Sequence, residues 1–123
     1  MIVGLFSRHQ YLLECSCYSD SSDESAFTSN AFIFSLRNKE DLGPFKSMVT
    51  NPSRAIAQLS YSGPTFGDRY DIRIAHNANK NTNSYTGNFG AAYSVPSGVQ
   101  DRRTILAGTS LFTADEVEVF YIG

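Results

Sequence analysis

The sequence is 123 residues long, with 41% hydrophobic and 18% charged residues and a formal net charge of −2. That length suits one domain built on one core and is too short for two, so a single domain over residues 1–123 is expected. There is no basic surplus to neutralise a phosphate backbone, which excludes nucleic acid as an expected partner.

The chain opens on a short apolar run, Met1 to Phe6, cut off by Arg8 and His9. The run is too short for a secretory core or a bilayer span, so neither a targeting segment nor membrane insertion is expected. The one Asn-x-Ser/Thr acceptor, Asn51-Pro52-Ser53, is disqualified by its proline. A soluble, cytoplasmic protein is the expectation. Cys15 and Cys17 follow in "LLECSCYS", where an extended strand would turn both thiols to one face. A disulfide across so small a loop is strained, and the neighbourhood lacks further metal ligands. Two reduced structural thiols are expected.

"SDSSDESAFTSN", residues 19–30, has the composition of a loop, because Ser and Asp side chains compete for backbone hydrogen bonds. "NAFIFSLRN" then sets Phe32, Phe34 and Leu36 on one face and Ala31, Ile33 and Ser35 on the other, the pattern of a central strand covered on both sides. "KEDLGP" reads as a turn, "FKSMV" as a strand, "TNPS" as a turn and "RAIAQLSY" as the antiparallel return, since proline pushes the residue before it out of the α region. "YDIRIAH" alternates Ile72 and Ile74 inward with Asp71 and Arg73 outward. "RTILAG" and "EVEVFYIG" read as strands, the latter with Val117, Val119 and Tyr121 against Glu116, Glu118 and Phe120. In "FTADEV" a threonine and two acids are placed to begin a short helical turn. The expected class is mainly β, a two-layer antiparallel β-sandwich, because so many aromatic strand faces need a second layer to cover them.

Four arrangements of side chains bear on chemistry. A cysteine nucleophile would combine Cys15 or Cys17 with His9 or His76 and an acid such as Asp71, but nothing local to either thiol activates it, and Glu14 beside them has the wrong sign. Asn77, Asn79, Asn81 and Asn83 alternate like the odd-numbered ligands of a calcium loop. That loop needs glycine at its sixth position and glutamate at its twelfth, where this chain has Thr82 and Asn88. These amides are instead expected to bond their own backbone and to tolerate left-handed conformations. Tyr61, Tyr70, Tyr85 and Tyr93 could stack on sugars, as in a carbohydrate-binding sandwich. Asp23-Glu24 and Asp115-Glu116 are adjacent pairs, which a strand sends to opposite faces, so neither is expected to form a cooperating acid and base. Gly63, Gly67, Gly87 and Gly90 have no following lysine and helix start to make a phosphate cradle, and are expected at turns needing positive φ. No catalytic, cofactor-binding or metal-binding residue is therefore assigned, and no cofactor is expected.

"AFIFSLRN", "PFK", "AI", "GPTFG", "YDIRIAHNANKNTNSY" and "LAGTSLFTADEVEVFYI", in this order, resemble the later part of a TLDc domain, the domain of oxidation-resistance proteins. Each piece is short; their order and spacing from Ala31 to Ile122 make the resemblance specific over about three quarters of the chain. It implies an α+β family domain built on a β-sandwich with few short flanking helices, no enzymatic activity, and a role as a protein-interaction module. It further implies a link to oxidative-stress protection and a partner in the vacuolar proton-pumping ATPase. Residues 1–30 diverge: of the family's helical start and glycine-glycine-tyrosine strand they keep only Tyr18-Ser19-Asp20. The chain is thus expected to be a truncated or divergent copy. Unless Met1 to Cys17 supplies the cover that this front segment gives in the family, an unpaired strand edge and apolar faces would favour self-association.

Overall fold

The computed structural model describes the backbone at residues 2–7, 12–16, 25–26, 29–57 and 59–120, and side chains at 29–57 and 59–117. The fold is mainly β, with two antiparallel sheets and, among the described residues, one 3₁₀ turn at Pro52–Arg54. The first sheet comprises β1 (Ile2–Ser7), β2 (Leu12–Ser16), β4 (Phe32–Ser35), β5 (Phe45–Met48) and β11 (Ala114–Phe120), in the order β11-β1-β2-β4-β5. The second comprises β3 (Ser25–Ala26), β6 (Ile56–Ala57), β7 (Thr65–Phe66), β8 (Ile72–Arg73), β9 (Ser84–Tyr85) and β10 (Leu111–Phe112), in the order β10-β9-β8-β7-β6-β3.

The divergent front of the chain occupies the middle of the first sheet. β1 pairs with β11, placing Val3 opposite Val119, and β2 pairs with β4, placing Cys15 opposite Ile33. The β1–β2 hairpin therefore joins the final strand to the β4–β5 pair, so residues within Met1 to Cys17 pair with strand edges on both sides. β4 is interior as its pattern required, but its two faces differ: Ala31, Ile33 and Ser35 are buried, Phe32 and Phe34 are half-buried, and Leu36 is 37% exposed. Lys46, opposite Phe34 across the β4–β5 pair, holds its ammonium 4.1 Å from the centre of the Phe32 ring.

Residues of both sheets meet in one hydrophobic cluster. Ala31, Ile33 and Ala114 come from the first sheet and its margins, Ile56, Phe66, Ile72 and Phe112 from the second. Phe89, Tyr93, Ile105 and Leu106 join them from the connecting turns. Three sequence expectations are corrected here. "RTILAG" is a helical turn, because the Ile105 amide donates to Asp101 O and Gly108 to Thr104 O, and it buries the adjacent Ile105 and Leu106. "FTADEV" is the junction of β10 and β11, with Phe112 and Ala114 both buried as strand alternation requires, and it forms no helical turn. "RAIAQLSY" yields only the two residues of β6, preceded by the 3₁₀ turn that Pro52 starts. Val117, expected inward, is 36% exposed, while the side chains of Val119 and Tyr121 lie outside the described residues.

Candidate functional site

The most constrained part of the molecule is built around Asp71. Its carboxylate was expected on the wet face of a strand, yet it is 0% exposed. The cause is local: Tyr70 takes a left-handed φ of 68°, so β8 starts only at Ile72 and Asp71 falls outside the alternation. The carboxylate accepts N–H bonds from Gly90 at 2.9 Å, Ala92 at 3.0 Å and Tyr93 at 3.2 Å. Burial pushes its pKa up from 3.8 to about 6, against the pull of the amides of residues 90–93, which favour the charged form. Gly67, at φ +81°, lies against this carboxylate so closely that a Cβ there would overlap Asp71 Oδ1. The "GPTFG" turn and the "YD" dipeptide are therefore one device, glycine making room for the acid that ties down a loop twenty residues further along.

Other buried polar groups extend the frame. The Tyr93 hydroxyl donates to Ala55 O at 2.6 Å, Ser62 Oγ donates to Ile74 O, and Thr86 Oγ1 donates to Arg103 O at 3.2 Å. Asn38 closes its own loop by accepting the amides of Glu40 and Leu42 and donating to Leu42 O. Glu40 then accepts the amides of Gln100 and Asp101 with its two carboxylate oxygens, fixing the start of the turn that carries Arg102 and Arg103.

Two of the clefts among the described residues open on this frame. The larger, about 470 Å³, is lined by residues 74–79, Pro64 and the Asp115, Glu116 and Val117 stretch of β11. Asp115 and Glu116 both border it although neighbours on a strand alternate faces. The register explains this: Phe6 pairs with Glu116 and Ser7 with Ala114, so Asp115 is the extra residue of a bulge. The smaller, about 280 Å³, is polar and lined by Arg69, Gly87, Asn88, Gly90, Ala91, Arg102 and Arg103.

The asparagine tract behaves as its composition predicts. Asn81 Nδ2 donates to the carbonyls of His76 and Asn77, Asn81 Oδ1 accepts the Asn83 amide, and Asn77 sits at φ 52°. Among the described residues no three His, Cys, Asp or Glu side chains gather as a metal set. His76 is exposed and contacts Ser60 O, while Asp71 faces backbone amides, so the structure does not couple them. His9 and Cys17, like Asp23-Glu24, lie outside the described residues, and Cys15 is placed on β2 by its backbone alone. Of the tyrosines, Tyr61 and Tyr70 meet hydroxyl to hydroxyl at 3.2 Å, Tyr85 is half-buried on β9, and Tyr93 belongs to the core. Of the four turn glycines, Gly67 and Gly90 have positive φ; Gly63 and Gly87 are instead crowded, by Ile74 O and the Tyr85 ring. The arginine cleft was missed, because Arg69 and the Arg102-Arg103 pair are far apart in sequence; the adjacent arginines were its only signal.

Comparison of the chain with protein-family models, with curated proteins and with solved structures finds no match.

Proposed function

We propose that the chain is a non-enzymatic interaction domain of the TLDc type, acting in the cytoplasm through a protein partner. The partner put forward is the vacuolar proton-pumping ATPase, with a role in oxidative-stress protection. The observation that carries this reading is the use made of the motif residues that bear the resemblance. Gly67, Asp71, Ile72 and Ile74 serve the fold: the glycine admits the carboxylate, the carboxylate binds backbone amides, and the isoleucines fill the core. With these residues committed to the scaffold, the reading assigns recognition to the surface they support. The test is capture by the immobilised full chain from native lysate, read by mass spectrometry. Enrichment of ATPase subunits over a heat-unfolded control is the expected result; their absence from the retained proteins overturns the partner.

A second reading, a carbohydrate-binding sandwich, is favoured by one observation, the Tyr61–Tyr70 pair with Tyr61 62% exposed. It predicts retention on a glycan array that Tyr61→Ala abolishes.

A further inference from the structure

We infer that the cleft between Arg69, Asn88, Gly90, Arg102 and Arg103 is the docking point for an acidic segment of a protein partner, one presenting two or more carboxylates. The inference rests on the interaction-domain reading and names the chemistry of the docked surface.

Three arginines line one polar cleft of about 280 Å³ in a chain whose net charge is −2. None of the three has a carboxylate within ion-pairing distance among the described residues, whereas Arg54 pairs with Asp68 at 3.4 Å and Arg73 stacks over Tyr70 and donates to Asn83 O. The acids next to them in sequence are engaged elsewhere. Asp68 holds Arg54, and Asp101 accepts the Arg103 backbone amide at 3.0 Å. Convergent like charges repel, and an anion that bridges them removes that cost.

The cleft is also held in place. Asn88 Nδ2 donates to Arg69 O, and buried Thr86 donates to Arg103 O. Gly90, at φ +106°, is bonded to Asp71 and leaves room for Arg102: a Cβ there would stand 2.7 Å from Val95 and 3.3 Å from Arg102 Nη1. The backbone that carries the arginines is thus fixed before any ligand arrives, which lowers the ordering cost of binding.

The same geometry separates a peptide from a free phosphate. Phosphate cradles are built from unengaged backbone amides. Here most of the amides in and next to the lining are already used: Gly90 binds Asp71, Ala91 binds Asn88 O, Phe89 binds Thr86 O and Arg103 binds Asp101 Oδ1, which leaves no long run of free amides. The cationic groups of the cleft are the arginine side chains, carried at separate points of the chain, and such forks match separate carboxylates on an extended segment.

The experiment measures fluorescence anisotropy of a labelled oligoglutamate peptide with the full chain, beside its oligoglutamine counterpart. Binding of oligoglutamate alone is expected, weakening about tenfold in R102Q/R103Q and lost near 1 M salt. The pair R69Q/R103Q leaves Arg102 against Gly90, so it reads the cleft even where R102Q/R103Q unfolds. K80Q, which removes a charge from the asparagine tract, is expected to leave binding unchanged. Loss in K80Q equal to that in the arginine variants, unaltered binding in the arginine variants, or no binding overturns the inference. Arginine-dependent binding of inorganic phosphate without oligoglutamate overturns it in favour of a small-anion site. ATPase subunits retained equally by wild type and R69Q/R103Q overturn the inference alone, leaving the partner standing. Oligoglutamate binding as expected with no retained ATPase supports the cleft and moves the failure to the partner.

Discussion

The two sheets are held together by different physics. The first has strands of four to seven residues whose order follows from hydrophobic alternation and continuous ladders, as with Ile33 and Ser35 inward and Leu36 outward on β4. The second has strands of two residues each, too short for ladders to fix them. It is held by side chains that bind backbone: Asp71 on the amides of residues 90–93, Tyr93 on Ala55, Ser62 on Ile74. Short strands leave long connections, and connections carry clefts. Both clefts draw most of their lining from this half, which shows how buried polar groups allow loops to keep a shape that sheets do not impose.

Deleting the central acid is the strongest way to break this comparison. Asp71→Ala orphans the donors of Gly90, Ala92 and Tyr93, and should cost about 3–5 kcal/mol in denaturant unfolding. A cost under about 1 kcal/mol would mean the second sheet does not depend on its polar frame. The matching deletion in the first sheet, Ile33→Ala, removes a fully buried side chain and should cost about 2–4 kcal/mol, whereas Leu36→Ala on the open face should change stability by less than about 1 kcal/mol. Near-equal losses at both positions would refute the one-sided burial of β4.

The pH dependence sharpens the contrast, since the titrating buried acid belongs to the second sheet. Asp71 has a folded pKa raised to about 6 from 3.8, so its stabilising contribution is fully present below pH 3.8 and is lost as the pH rises through about 6. The span of about two pKa units corresponds to at most about 3 kcal/mol. The check is unfolding free energy against pH for the wild type and Asp71→Asn, with a fall between those values in the wild type that the variant lacks. A difference that grows with pH instead would reverse the sign. The smallest effect is expected from Tyr93→Phe, which removes one buried hydroxyl bond to Ala55 O and should cost about 1 kcal/mol by thermal or denaturant melting.

How much was legible differs in the same way. Ile72 and Ile74, the Gly67 turn, the self-bonded asparagines and the β4 strand were read from local pattern, because alternation and turn chemistry act over a few residues. Asp71 was misread because a single left-handed residue, Tyr70, makes β8 start at Ile72 and takes Asp71 out of an alternation that Ile72 and Ile74 still obey. That Asp115 and Glu116 both border one cleft was not legible either, because a bulge is not announced by alternation.

The mainly β class, the lack of a net basic surplus and the positions of most turns were readable along the chain, because each is set by composition or by sequence neighbours. Only the tertiary structure decided that residues 2–7 and 12–16 sit inside the first sheet, that Asp71 reaches the amides of residues 90–93, and that Arg69 joins Arg102 and Arg103 around one cleft. Those arrangements join residues about 20 to 120 positions apart in sequence, and such pairings are fixed by which groups lose water together, a property of the folded whole that no local pattern carries.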